Sequence, residues 1–148
     1  MQVETATVLG TASTRIVLPA QDLAVREGLR LLFSRAPLSR LAADDQGTAE
    51  IVLAEALNNI VEHAYAAYHG EIEVAIWHDG QLVHCTIVDA GLPMPDDTLP
   101  SGNPKPIAAL PEGGFGWHLI RALTTNLHYR REGERNILSF NLEAQLSP

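Results

Sequence analysis

With 148 residues, 46% of them apolar, the chain is long enough for a folded domain to bury roughly two-thirds of its unfolded surface. A formal charge of −8 and a pI near 5.1 argue against a nucleic-acid-binding surface, which needs clustered Lys and Arg. One cysteine, Cys85, excludes a disulfide framework and leads us to expect a reducing, cytoplasmic setting; no apolar run reaches the ~20 residues of a membrane span, and the first residues lack the basic stretch and apolar core of a signal peptide.

In chain order, residues 15–19 (RIVLP) read as a short strand. A helix is expected from about Asp22, as N-cap, to Arg35, with Leu23, Leu29, Leu32 and Phe33 at core-like spacing. A longer helix is expected over residues 48–67, its apolar face formed by Leu53, Leu57, Ile60, Val61 and Ala64 and its opposite flank by Glu55, Asn59, Glu62 and His63, with Gly70 ending it. Two alternating runs then flank Asp79-Gly80, a two-residue hairpin signal. That turn sets Ile76 opposite Val83, Val74 opposite Cys85 and Ile72 opposite Ile87 on one face of the sheet, with Asp89 in phase on the core side.

From Leu92 to Glu112 no periodicity survives and six prolines appear, a length of loop that in a small domain is usually functional or disordered. A helix from Gly114 to about Thr125 and two strands near 127–131 and 136–143 complete the series. The order implies an α+β two-layer sandwich, one mixed and mostly antiparallel sheet with the helices on a single face.

Three segments carry the chemistry. In LAEALNNIVEHAY (residues 53–65) Glu55 and Asn59 stand at i and i+4, on one helical stripe. A carboxylate there can take a proton from an attacking hydroxyl, and an amide oxygen can take one site on Mg²⁺; the alternative is a solvated polar face. His63 follows by a further i+4 step, either supporting the pocket or packing beside it. In VDAGLP (residues 88–93) a core-facing Asp89 must find donors to offset its desolvation. An exocyclic amine such as that of adenine would serve, as would a helix N-terminus or an Arg; Gly91 would let backbone pass close to a planar base. In GGFGWHLIRAL (residues 113–123) Gly113, Gly114 and Gly116 open a helix, a setting that binds phosphate or merely supplies a hinge. Lys105, the single lysine, lies in the proline-rich segment and either reaches polyphosphate or is solvated. The spacings of the six histidines match no zinc pattern.

Glu55-x-x-x-Asn59, Asp89-x-Gly91-x-Pro93 and Gly113-Gly114-Phe115-Gly116 together resemble the N, G1 and G2 boxes of the Bergerat-fold, GHKL-type ATPases. Within that superfamily the chain is most similar, over about residues 14–143, to the anti-sigma-factor serine/threonine kinases of bacterial partner-switching systems. The resemblance implies one ATP-binding kinase domain over residues 1–148, using ATP and Mg²⁺. It would phosphorylate a small anti-anti-sigma (STAS-type) partner and alternately hold a sigma factor, as a homodimer. Glu55 would be the general base, Asn59 the Mg²⁺ ligand and Asp89 the acceptor for the adenine amine. His63, Gly91, Pro93, Lys105, Gly113, Gly114, Phe115 and Gly116 would complete the nucleotide site, and residues 92–112 would form the ATP lid. Pro93 stands where the G1 box often has a second glycine, and Asn136 where the last strand often supplies a Thr near adenine. A rival from another class is a nucleotide-gated binding module that sequesters a partner and transfers nothing; Arg26 and Arg30, on one helix face, are candidate partner contacts.

Overall fold

The computed structural model describes residues 1–8, 11–100, 114–144 and 146. Six strands, β1 (Gln2–Val8), β2 (Thr11–Pro19), β3 (Glu71–His78), β4 (Leu82–Asp89), β5 (Thr125–Glu132) and β6 (Arg135–Glu143), form one sheet in the order β1-β2-β3-β4-β6-β5. Every pairing is antiparallel, so the parallel element that a mixed sheet allowed is absent among the described strands. Three helices, α1 (Asp22–Phe33), α2 (Ala43–Asn59) and α3 (Gly114–Leu123), pack with the inner face of the sheet around one apolar core. Alternation explains that face: Ile16, Leu18, Ile72, Val74, Ile76, Val83, Cys85 and Ile87 are all at most 1% exposed. The intervening side chains occupy the other face, where Arg15 pairs with Glu73 at 2.6 Å and the Trp77 and His84 rings stack.

Four departures from the sequence expectations have physical causes. β1 extends the sheet beyond the expected first strand; QVETATV alternates only weakly and stays mostly exposed, so no apolar face announces it. On α1, Val25, Gly28 and Leu32 face the core, whereas Leu23 is 67% exposed; the buried stripe is set by i, i+3, i+7 from Val25. Asp22 lies inside the first turn and Gln21 is the N-cap.

The hairpin register differs by two residues from the expected one, pairing Ile76 with Cys85, Val74 with Ile87 and Ile72 with Asp89. Asp79 is not a central turn residue. Its Oδ1 accepts from the backbone N–H of Gln81 and Leu82 at 2.9 and 2.8 Å, so Gly80 (φ +103°) and Gln81 make the turn, Gly80 at the position where type II′ takes glycine. A shift of two preserves the side-chain parity, so Asp89 remains on the inner face.

The long helix starts earlier than expected, with Asp44 and Asp45 favourably placed in its first turn, and ends earlier too. From Ile60 to Ala64 it widens into a π-turn, and Tyr65, rather than Gly70, closes it.

Candidate functional site

α2 supplies the first two groups of the site. Glu55 is half-buried and Asn59 is 5% exposed, so Asn59 points inward rather than along the solvent flank that the helical periodicity suggested. Among the described residues, Asn59 Nδ2 is the buried side-chain polar atom that lacks a hydrogen-bond partner, a condition that costs about 1–3 kcal/mol unless a ligand or water relieves it.

α3 packs across α2 and brings its first turn to these groups. A β-carbon built on Gly116 would lie 2.7 Å from Glu55 Oε2 and 3.3 Å from Asn59 Nδ2. Only a hydrogen at this position leaves the carboxylate and amide in place. Gly114 and Gly116 therefore sit in the opening turn of α3, where backbone N–H groups without intrahelical partners favour anions.

β4 delivers the third group. Asp89, at the last residue of the strand, is 5% exposed and lies opposite Ile72 on β3 and Asn136 on β6. Its Oδ1 accepts from Gly91 N–H and from Asn136 Nδ2, both at 2.8 Å. Burial raises its pKa above the ordinary carboxylate value, while the two hydrogen bonds and the charge of Arg131 work against that rise.

Beyond Asp89 the chain leaves the sheet with the backbone of Ala90, Gly91 and Leu92 engaged on both N–H and C=O. Ala90 N–H donates to the Tyr65 hydroxyl at 2.7 Å, and Ala90 O accepts from the Tyr68 hydroxyl at 3.0 Å. Gly91 O accepts from Arg131 Nη1 at 2.7 Å, Leu92 N–H donates to Ala64 O at 2.8 Å, and Leu92 O accepts from Asn136 Nδ2 at 2.8 Å. Met94 N–H donates to the Tyr129 hydroxyl at 3.0 Å. The π-turn and Gly91 meet here: a β-carbon on Gly91 would come within 2.5 Å of Ala64 O, so closeness to backbone makes glycine necessary.

The expected site residues are thus partly assembled. Glu55, Asn59 and Gly116 meet directly, and Asp89 and Gly91 form a second cluster at the end of β4. His63 is not brought in: its side chain is 66% exposed and its Nε2 lies 4.0 Å from Glu62 Oε2. The π-turn breaks the i+4 stripe that would have stacked it over Asn59. Pro93 is exposed. Lys105 and Gly113 lie outside the described residues, as does residue 101 onward of the expected lid, and the same holds for the side chain of Phe115.

Sequence reasoning did not single out Tyr65, Tyr68, Tyr129 or Arg131. Their partners are backbone atoms remote in sequence, so no local pattern marks them. A cleft of about 270 Å³, lined by Tyr65, Tyr68, Glu73, Asp89, Ala90 and Arg135 among others, borders the Asp89 cluster but includes neither Glu55 nor Asn59.

Among the described residues no group of three or more His, Cys, Asp or Glu is arranged to hold a metal. An amide oxygen is a donor that Mg²⁺ accepts beside phosphate and water oxygens. The orphaned amide beside Glu55 fits that role once turned to present its oxygen.

An antiparallel sheet covered on one face by three helices, with an acid-and-amide helix and a glycine-opened helix meeting beside it, defines an α+β sandwich of the GHKL ATPase type. The chain belongs to the histidine kinase-like ATPase domain family, whose model matches residues 18–142.

Over 102 residues it is 30% identical to the serine-protein kinase RsbW of Bacillus mycoides (strain KBAB4), taking in 66% of this chain and 64% of that relative. It is 29% identical to the serine-protein kinase RsbW of Bacillus thuringiensis (strain Al Hakam) over the same shares. The match thus spans 64% of the length of these curated relatives. In fold it resembles the crystal structure of the RsbU and RsbW domains of Rv1364c from Mycobacterium tuberculosis, with a TM-score of 0.60 and 17% identity over 89% of this chain and 32% of that one. It also resembles the histidine kinase domain of the blue-light activated histidine kinase from Erythrobacter litoralis EL346, with a TM-score of 0.51 and 20% identity over 68% of this chain and 45% of that one.

Proposed function

We propose that the chain is an ATP-dependent protein serine/threonine kinase acting as an anti-sigma-type regulator, which phosphorylates a small anti-anti-sigma partner. The observation that carries this reading is the meeting of the Glu55 carboxylate and the buried Asn59 amide, its Nδ2 unpartnered, against Gly116. The kinship with proteins named serine-protein kinase RsbW supports the reaction class.

In this reading Glu55 accepts the proton of the attacking hydroxyl, which needs only a carboxylate within hydrogen-bond reach. Asn59 holds Mg²⁺, Asp89 receives the adenine amine, and the opening turn of α3 at Gly114 and Gly116 holds phosphate oxygens. Mg²⁺-ATP supplies the phosphoryl group and offsets its developing charge. The protein's contribution is positioning and preorganised dipoles. A homodimer, a cytoplasmic setting and a single kinase domain spanning residues 1–148 belong to the same reading.

The test pairs calorimetry with a transfer assay on candidate partner proteins. Mg²⁺-ATP should bind the wild type saturably, and Asn59→Ala should weaken that binding sharply. Glu55→Gln should abolish transfer while leaving ATP affinity within about threefold, since a base acts on the transition state rather than on ground-state binding. Binding without transfer in the wild type would instead favour the nucleotide-gated binding module, and no binding at all would overturn both.

A further inference from the structure

Asn136 lies at the first core-facing position of β6, opposite Asp89 and 5% exposed. A primary amide has two N–H donors and an oxygen with two acceptor sites, and Asn136 uses all of them. Nδ2 donates to Asp89 Oδ1 and to Leu92 O, each at 2.8 Å, with a longer approach of 3.4 Å to Gly91 O. Oδ1 accepts from the Tyr129 hydroxyl at 2.6 Å and from Arg131 Nη1 at 3.0 Å. Two of these partners reach on to the same backbone: Tyr129 receives Met94 N–H, and Arg131 donates to Gly91 O. One side chain thus links a strand-end carboxylate, a hairpin cation, a phenol and the stretch Gly91–Met94. A hydroxyl, with a single donor, cannot bond Asp89 and Leu92 O together, and a carboxylate can donate to neither.

We propose that Asn136 is a positioning residue that ties the Asp89 carboxylate and the Gly91–Met94 backbone into one rigid platform for the nucleobase. The platform rests on the nucleotide-binding reading above. Both hydrogen bonds to Asp89 fall on Oδ1, so the carboxylate is oriented with Oδ2 left for the base. Rotation of Asp89, or drift of Gly91, would move the acceptor and the close-approach surface apart; Asn136 prevents both at once.

Amide hydrogen exchange on the nucleotide-free protein tests the tie directly. In Asn136→Ala the amides of Gly91 and Met94 should exchange about tenfold faster or more, while that of Val74 in the central sheet changes little. Losing a hydrogen bond to a charged group should also raise the Kd for Mg²⁺-ATP about ten- to hundredfold. The preference for ATP over GTP should shrink, and kcat at saturating ATP should stay within about threefold of wild type, since Asn136 lies at the base and not at the transferred phosphate.

Two further variants separate the halves of the network. Asn136→Asp retains acceptors for Tyr129 and Arg131 but sets a second carboxylate beside Asp89. It should keep Met94 protected yet lose ATP affinity, increasingly so as pH rises and both groups ionise. Tyr129→Phe should speed exchange at Met94 alone and leave affinity within about threefold. The proposal is overturned if Asn136→Ala leaves exchange at Gly91 and Met94 within about twofold of wild type, or if exchange rises while affinity and base preference hold. A wild type that shows the exchange pattern but binds no ATP would overturn the kinase reading and leave the tie itself supported.

Discussion

At the scale of single residues, Asp89 is held at a cost that its proposed task explains. A carboxylate at 5% exposure is penalised when ionised, and its pKa lies above the ordinary value for that reason. A folded-state pKa raised above the unfolded one means that the folded protein binds the proton more tightly. The stability contributed by this group is then fully present below the unfolded pKa and is lost as pH rises through the folded pKa. Asp89→Asn keeps an acceptor for Gly91 N–H and Asn136 without the buried charge. Relative to wild type, the variant should gain stability steadily as pH is raised from about 4 to 7, measured by urea denaturation at each pH. Nucleotide affinity should run the other way, because the adenine amine needs the ionised acceptor. Wild-type affinity should rise with pH over that range, and that of Asp89→Asn should stay low and flat. Parallel pH dependences in the two proteins would show that Asp89 does not titrate as described.

At the scale of elements, what was legible and what was not divide along one line: periodicity within a segment can be read, and contacts between segments cannot. Alternation placed Asp89 on the inner face of β4, and that survived an error of two in the hairpin register because parity is indifferent to a shift of two. The register itself turned on whether Asp79 sits inside the turn or caps it, which its side-chain bonds to Gln81 and Leu82 decide. The i+4 stripe of Glu55 and Asn59 was legible, but not its burial, which depends on where α3 packs. The π-turn that displaces His63 is tied to a hydrogen bond from Leu92 N–H to Ala64 O, between residues far apart in the chain. On α1, Leu32 is buried and Leu29 and Phe33 pack against the core as expected, whereas Leu23 turns outward. Leu32 is 1% exposed and Leu23 67%, so the same chemical change should have unequal effects. Leu32→Ala should cost about 2–5 kcal/mol in chemical denaturation, and Leu23→Ala should stay within about 0.5 kcal/mol. Equal losses would mean that α1 is rotated from the orientation described.

At the scale of the whole molecule, the proposed pocket belongs to no one element. Glu55 and Asn59 come from α2, Asp89 from β4, Gly116 from α3 and Asn136 from β6. A ligand held by this set joins two helices to the neighbouring strands β4 and β6, so its binding free energy adds to global stability rather than to one local segment. A ligand at about 100 times its Kd stabilises the folded state by about 2.7 kcal/mol, if it ignores the unfolded chain. At this chain length each kcal/mol moves Tm by about 2–4 °C, so saturating Mg²⁺-ATP should raise Tm by about 5–10 °C. With a formal charge of −8 the protein opposes the approach of a polyanion, so the shift should shrink when Mg²⁺ is chelated and the nucleotide carries its full charge. Asn59→Ala should lose most of the shift at the same nucleotide concentration while melting close to wild type without it, since Nδ2 of the amide is without a partner among the described residues. An equal shift in that variant would show that nucleotide binding does not depend on Asn59.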